Sequence, residues 1–299
     1  MQSTLRFPRF PKIPRTQLLR YSFMVMGILA LAPPVGFLVQ ALGGSMTCGV
    51  MCPRMPIGSG FFRAIFSQIA GVGLLFVWLG ITFFFGRWMC SHVCPAGSLT
   101  EFGSKLLPKK MKIDYNRLLD VPIFRYGFFA GYLLLPVVGF TSVCCSYCNL
   151  STIPETFGAI FSPDIRAGLL TGSKAVSIFM YVFLFGIIAK DGRGHCHLLC
   201  PIGALDSLVA TLGAKVPFTF RTRVNASACG GCGACARTCP TAAITVNAET
   251  RLASVDYRRC FQCRLCEDQC PKQAIGVRQA LPSKTGLIGV GVPNELSAD

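Results

Sequence analysis

The sequence has few charged residues, and this shortage sets the first limits on the class of protein. Only 14% of its 299 residues are charged, whereas a soluble globular domain has about 25%. The mean hydropathy is +0.52. This composition is typical of a membrane protein with a smaller part facing water. An ion transporter is disfavoured, because no long apolar stretch carries the paired buried acid and base that usually mark an ion path.

Histidine is also scarce, and the positions of the histidines exclude haem. The chain has 3 histidines, His92, His195 and His197. None lies inside an apolar stretch, where haem in a membrane protein would need its axial ligands. We therefore predict no haem. The histidines either tune a nearby metal cluster, take a proton from a quinol, or cap helix ends.

Acidic residues are outnumbered, so the formal net charge is +16. Such a charge would suit a nucleic-acid-binding protein, but the sequence contains no RNA- or DNA-binding motif. Positive residues also accumulate at the cytoplasmic ends of membrane spans and contact anionic lipid. We therefore expect the lipid bilayer as a partner and no nucleic acid.

Four stretches of the chain are apolar over roughly the 20 residues that cross a bilayer. Lys and Arg are concentrated before the first stretch and between the second and the third, which places both termini and the middle loop in the cytoplasm. We therefore predict a multi-pass protein of the bacterial inner membrane. The predicted spans are Tyr21–Leu42, Phe62–Phe85, Val121–Val143 and Ala167–Ala189.

Cysteine, by contrast, is abundant, with 17 residues. The stretches "CGGCGACARTCP" and "CFQCRLCEDQCP" both match C-x2-C-x2-C-x3-C-P, the run that binds [4Fe–4S] clusters in bacterial ferredoxins. The fourth cysteine of each run ligates the other cluster. Structural zinc is improbable for eight cysteines in this double pattern. The predicted ligands are Cys229, Cys232, Cys235 and Cys270 (the cluster-1 cysteines) and Cys260, Cys263, Cys266 and Cys239 (the cluster-2 cysteines).

A second cysteine pattern, C-x3-C-P-x-G-x-L, occurs twice, in "CSHVCPAGSL" and "CHLLCPIGAL". Such a match indicates internal duplication of a two-helix unit. Both copies are expected on the inner face, where stable disulfides are unusual. Together their cysteines would hold one further [4Fe–4S] cluster or form a set of redox-active thiols. We name them the C-x3-C-P quartet: Cys90, Cys94, Cys196 and Cys200.

Two further C-x3-C pairs, in "CGVMC" and "CCSYC", are expected on the outer face. Structural disulfides, another [4Fe–4S] cluster and a Cu(I) site are alternatives, the last because thioethers and thiolates suit that ion. The copper ligands would be Met46, Cys48, Met51, Cys52 and Met55. We name the four cysteines the loop quartet: Cys48, Cys52, Cys144 and Cys148, with Cys145 left over.

The combination of paired C-x3-C-P motifs with a double [4Fe–4S] run resembles the NapH family of membrane ferredoxins, which are quinol dehydrogenase components. MauN, NosR and CcoG proteins contain related modules. The resemblance implies that electrons from the quinone pool pass to a periplasmic acceptor through a partner ferredoxin or c-type cytochrome. It implies an oxidoreductase component, but it does not cover the loop quartet.

These observations predict an α-helical membrane protein with four transmembrane helices as a duplicated two-helix unit, followed by an α+β bacterial 2[4Fe–4S] ferredoxin-like domain. The predicted function is electron transfer between the quinone pool and a partner redox complex. The alternative is an assembly factor that reduces thiols or copper on the periplasmic face. The predicted domains are a basic arm (1–20), a membrane domain (21–215), a cytoplasmic ferredoxin domain (216–280) and a tail (281–299).

Overall fold

The computed structural model describes residues 14–30, 69–134 and 173–279, and the single positions 156, 159, 163 and 167. The whole loop quartet, with Cys145 and the three methionines of the proposed copper site, lies outside these residues.

The described part of the chain before residue 221 is mainly helical, with a 3-10 turn at Lys109–Met111 and an isolated parallel bridge between Ile113 and Ala189. The helices α2 and α9 pack against each other, as do α1 and α4. A π-helical segment, Phe179–Ile187, continues α7. The helices are α1 (Arg15–Ala30), α2 (Ile69–Phe85), α3 (Trp88–His92), α4 (Pro95–Leu106), α5 (Tyr115–Leu118), α6 (Val121–Leu134), α7 (Ser173–Ile178), α8 (Gly194–Leu198) and α9 (Pro201–Ala214).

The predicted membrane fold is not what the structure shows. Within the described ranges, no helix combines the length and the apolar character that crossing a membrane requires. This finding overturns the fold class of four transmembrane helices and the localisation as a multi-pass inner-membrane protein.

The internal duplication appears as two matching pairs of short helices, α3–α4 and α8–α9. In each pair the second cysteine of the C-x3-C-P motif caps the longer helix and proline takes its first position. Proline suits that position, because the missing N–H would have no partner there and its φ is already helical. In both copies, the C-x3-C stretch therefore contains the end of one helix and the cap of the next.

Each pair of helices is preceded by a glycine whose backbone is in the left-handed region, which favours glycine. Gly86 has φ +68° and Gly192 has φ +72°. At Gly192 a Cβ would lie 2.5 Å from the Thr100 carbonyl oxygen, so the position excludes a side chain on space as well as on conformation.

The C-terminal module, β1 to β4, mixes strands and short helices. Its strands β1 (Arg221–Val224) and β4 (Ile275–Arg278) pair antiparallel, as do β2 (Ile244–Val246) and β3 (Ala253–Val255). The helices α10 (Ala234–Thr238) and α11 (Leu265–Asp268) lie between the strands in sequence. The buried Cys235 and Cys266 and aliphatic side chains form the core, and four further cysteines pack against it.

Candidate metal centres

The fold brings the two halves of the C-x3-C-P quartet together. Cys90 lies within α3 and Cys94 caps α4, whereas Cys196 lies within α8 and Cys200 caps α9. A Cβ added to Gly97, in the first copy, would lie 3.2 Å from the Cys196 Sγ in the second. The missing side chain at Gly97 thus leaves room for a cysteine of the other copy.

The thiols of this quartet are half-buried and lie close together. Burial raises the pKa of Cys196 to about 11, and the neighbouring Cys94 adds to the increase against the effect of Arg193. Burial also raises the pKa of Cys200, with a further increase from Cys196 and Cys94. Mutual repulsion of this kind arises only between thiolates that lie close together.

A buried carboxylate, Asp206, faces one thiol of the quartet. The Cys90 Sγ donates to the Asp206 Oδ2 at 2.9 Å. The same carboxylate accepts bonds from the Trp78 indole at 3.0 Å and the Thr82 hydroxyl at 3.1 Å, both on α2. Asp206 therefore ties α9 to α2 beside the quartet.

A second buried carboxylate, Glu101, holds the first copy to the second. Its Oε2 accepts from Arg20 on α1 at 2.5 Å and from Arg193, which precedes α8, at 2.7 Å. Arg193 also donates to the Cys90 carbonyl at 2.7 Å. Burial raises the pKa of Glu101, but Arg193, Arg20 and Lys105 outweigh it and hold the pKa below its usual value. Glu101 is thus ionised at neutral pH.

Arg20 and Arg125 make the same contact in the two copies of the motif. The Nε of Arg20 donates to the Ser91 carbonyl at 3.2 Å, and the Nε of Arg125 donates to the His197 carbonyl at 2.6 Å. Ser91 follows Cys90 directly, as His197 follows Cys196. The duplication therefore includes the arginines that fix the backbone beside each motif.

The cluster-1 cysteines surround one cavity. This cavity of about 100 Å³ is lined by all four of them, together with glycines of the first run and apolar residues of the strands. Cys270 comes from the second cysteine run, whereas the other three cysteines come from the first. Burial raises the pKa of Cys235, with a further increase from Cys229 and Cys270.

The cluster-2 cysteines show the same arrangement with the two runs exchanged. Burial raises the pKa of Cys266, and the increase grows through Cys260, Cys263 and Cys239. Burial likewise raises the pKa of Cys260 to about 12, and the next contribution is that of Cys239. The fourth cysteine of the first run thus lies beside the first three of the second.

The two cysteine runs adopt the same backbone. Gly231 and Gly233 have φ of +67° and +69°, and the equivalent Gln262 and Arg264 have φ of +56° and +63°. Non-glycine residues rarely adopt this conformation. After each run, a backbone N–H donates to the fourth cysteine: Ala243 to the Cys239 Sγ at 3.3 Å and Ala274 to the Cys270 Sγ at 3.2 Å.

No group of three or more Cys, His, Asp or Glu in the described ranges lies close enough to bind a single metal ion. A [4Fe–4S] cluster has a different requirement, because its four thiolates are spread over four irons. The cavity among the cluster-1 cysteines is therefore the more relevant observation for this kind of cofactor.

Phe261 joins the C-terminal module to the helical part. It follows Cys260 and is 2% exposed. The guanidinium carbon of Arg87 lies 4.0 Å from its ring centroid, and the His197 ring lies 4.7 Å away. The Gln17 amide also donates to the Cys263 carbonyl at 3.1 Å. The loop that carries Cys260 and Cys263 thus packs directly against residues that adjoin the C-x3-C-P quartet.

The three histidines lie in this same region, all of them buried. Burial lowers the pKa of His92 to about 4 and the pKa of His195 to about 3, and it also lowers the pKa of His197. All three are therefore neutral at pH 7, so a proton on any of them would need a change in its surroundings.

The buried arginines were missed by the sequence analysis. The repeat extends upstream to G-R-x-x-C-x-x-x-C-P-x-G-x-L, with Arg87 and Arg193 in register, and R-Y-x-F occurs at residues 20–23 and 125–128. These longer matches were the available signal. The signal for Asp206 was weaker: it is the only acidic residue in the stretch that forms α9.

Comparisons with known proteins agree on iron–sulfur chemistry. Residues 67–114 and 175–219 match a family described as a 4Fe-4S binding domain, and residues 228–274 match a 4Fe-4S dicluster domain. The first match contains both halves of the C-x3-C-P quartet. The second contains all cluster-1 and cluster-2 cysteines.

Several curated proteins are similar over much of the chain. The methylamine utilization ferredoxin-type protein MauN of Methylobacillus flagellatus is 28% identical over 265 residues, 86% of each chain. MauN of Paracoccus denitrificans is 32% identical over 67% of this chain and 64% of its own. YccM of Escherichia coli, whose name assigns it to electron transport, is 26% identical over 68% of this chain and 54% of its own. No solved structure matches.

Proposed function

The chain is a NapH/MauN-type ferredoxin and an iron–sulfur electron-transfer protein, and from this premise we propose that it carries electrons between a quinol and a partner redox protein through three [4Fe–4S] clusters. Such clusters supply reversible one-electron chemistry over a wide range of potentials. The fold holds the ligands, excludes water and sets the charge around each cluster.

The observation that carries this proposal is the cavity lined by all four cluster-1 cysteines. Two-cluster ferredoxins take the fourth ligand of each cluster from the other cysteine run, and Cys270 occupies that position here. We assign the cluster-2 cysteines in the same way, because the pKa of Cys266 is raised by Cys239 together with Cys260 and Cys263.

The third cluster is assigned to the C-x3-C-P quartet. Its four thiols come from two equivalent motifs and are half-buried. Cys94 raises the pKa values of Cys90, Cys196 and Cys200. A fully buried cation beside them, Arg87, makes no hydrogen bond to any residue that the structure describes. An anionic cluster with four thiolate ligands would suit such a cation, because a buried charge is stable only when it is paired.

The proposed electron path runs from the quartet to the cluster-2 cysteines and then to the cluster-1 cysteines. Phe261 supports the first step, since it adjoins Cys260 and packs against Arg87 and His197. The exchange of Cys239 and Cys270 between the two runs supports the second step. Cys232 is exposed, so the far end of this path reaches the surface, where a partner ferredoxin or cytochrome would dock.

The test of this function is reduction of the anaerobically purified protein by a water-soluble quinol. We expect the quinol to bleach the visible cluster absorbance, and a quinone analogue to restore it. Dithionite provides the control for full reduction. Failure of the quinol at every ratio, with complete bleaching by dithionite, would remove quinol as the donor and leave the clusters in place. The alternative, reduction of thiols or copper by an assembly factor, depends on the loop quartet and gains no support from the described residues.

A further inference from the structure

Arg87 is a buried cation whose side chain has no hydrogen-bond partner in the described part of the protein. It is 1% exposed. Its Nε and both terminal nitrogens make no hydrogen bond. A guanidinium carries five N–H donors and stays protonated in proteins, and leaving buried donors unpaired is unfavourable. Such a buried guanidinium is most stable where an anion accepts its hydrogen bonds and balances its charge.

The surroundings of Arg87 identify where that anion would lie. One face of the guanidinium stacks on Phe261 at 4.0 Å. A terminal nitrogen lies 3.2 Å from where a Cβ at Gly203 would be, next to the second copy of the C-x3-C-P motif. The positive charge also lowers the pKa values of Cys90, Cys196 and Cys200, opposing the effect of burial. Three thiols of the quartet therefore lie within its electrostatic reach.

The duplication shows what is missing at Arg87. Its equivalent, Arg193, pairs across the repeat with Glu101 at 2.7 Å. Glu101 follows Cys94 by the same number of residues as Ser207 follows Cys200, so a serine stands where Arg87 would meet the equivalent carboxylate. The neighbouring Asp206 acts on Arg87 electrostatically, but its oxygens bond Trp78, Thr82 and Cys90 instead. The Ser207 hydroxyl is already engaged, accepting from Arg125 at 3.0 Å and donating to the Arg258 carbonyl at 2.8 Å.

We propose that Arg87 donates hydrogen bonds to sulfur atoms of the [4Fe–4S] cluster held by the C-x3-C-P quartet and thereby raises its reduction potential. This inference rests on the proposed third cluster. Reduction adds one electron to the cluster and breaks no bond, so the reduced form carries one more negative charge. A fixed positive charge favours that form, and hydrogen bonds to the sulfurs act in the same direction. Arg193 also acts on Cys196, but it pairs with the carboxylate that Arg20 shares, whereas Arg87 bonds no residue of the described ranges.

The test is a redox titration followed by electron paramagnetic resonance, with iron content measured on the same samples. Arg87→Gln removes the charge, whereas Arg87→Lys keeps the charge and loses the planar fork. Arg221→Gln is the control, since Arg221 is equally buried and donates to the Thr82 and Phe83 carbonyls instead. We expect the reduced-to-oxidised ratio of the quartet's cluster to fall at least about tenfold in Arg87→Gln, about 59 mV for one electron. Arg87→Lys should fall less, and Arg221→Gln should leave this cluster unchanged.

The possible results separate this inference from the proposed function. An unchanged potential in Arg87→Gln with full iron content overturns the role of Arg87 and leaves the third cluster intact. Selective loss of about four irons in Arg87→Gln, with retention in Arg87→Lys and Arg221→Gln, supports the role, whereas equal losses in all three variants contradict it. If Cys94→Ser/Cys200→Ser retains all the iron of the unmodified protein, the third cluster itself is refuted.

Discussion

Glu101→Gln is expected to destabilise the helical part of the protein strongly, because two buried arginines share this carboxylate. The side chains of Arg20 and Arg193 are 2% and 3% exposed, and that of Glu101 is 9% exposed. Removing one partner of a buried ion pair costs about 3–5 kcal/mol, since the remaining charge stays buried. Here two guanidinium groups would lose their counter-charge, while the amide oxygen still accepts one hydrogen bond. We therefore expect a loss of about 3 kcal/mol.

Lys105→Gln provides the matched control for this prediction. Lys105 bonds the other oxygen of Glu101 at 3.3 Å, but its side chain is 49% exposed, and exposed ion pairs contribute only about 0–1 kcal/mol. The assay is urea unfolding under anaerobic conditions. With an m value of about 2–3 kcal/mol per M, Glu101→Gln should lower the midpoint by about 1–1.5 M. Equal, small shifts in the two variants would refute the reasoning from burial.

Three further results are expected. Cys270→Ser should abolish the same paramagnetic signal as Cys229→Ser, although Cys270 belongs to the other cysteine run; loss of the second module signal instead would contradict the crossed assignment. Phe261→Ala should cost about 3–5 kcal/mol in urea unfolding, because it leaves a cavity beneath a buried guanidinium, and a loss below about 1 kcal/mol would count against this packing. Gly192→Ala should destabilise by more than about 1 kcal/mol, since its φ is +72° and the Thr100 carbonyl would be 2.5 Å from the new Cβ; an unchanged urea midpoint would show that this turn relaxes.

The cysteine motifs predicted which cysteines would lie together. Cys270 and Cys239 were predicted to exchange between the two runs, and the structure places Cys270 at the cavity of the first run. Convergence of the C-x3-C-P quartet followed from duplication, because two equivalent units pack face to face. One short strand follows each Cys-Pro, β2 after the first run and β4 after the second.

The arginines and the membrane prediction show where sequence reasoning failed. Arg20 and Arg87 were read as a sign of membrane orientation, but each is buried. A charge count cannot distinguish a solvated arginine from one that bonds a buried carboxylate 81 or 92 residues away. The apolar stretches were read as spans by hydropathy alone, which does not reveal where a helix begins and ends. Partners so distant in sequence become visible only through the fold.

The central claim is that the C-x3-C-P quartet holds a third [4Fe–4S] cluster beside the two of the C-terminal module. The most direct measurement is iron and acid-labile sulfide per chain, on anaerobically purified protein and on Cys94→Ser/Cys200→Ser. Four irons and four sulfides belong to each such cluster. The account predicts that the variant loses about four of each and keeps the signals of the two module clusters. Equal iron and sulfide in both proteins would contradict it.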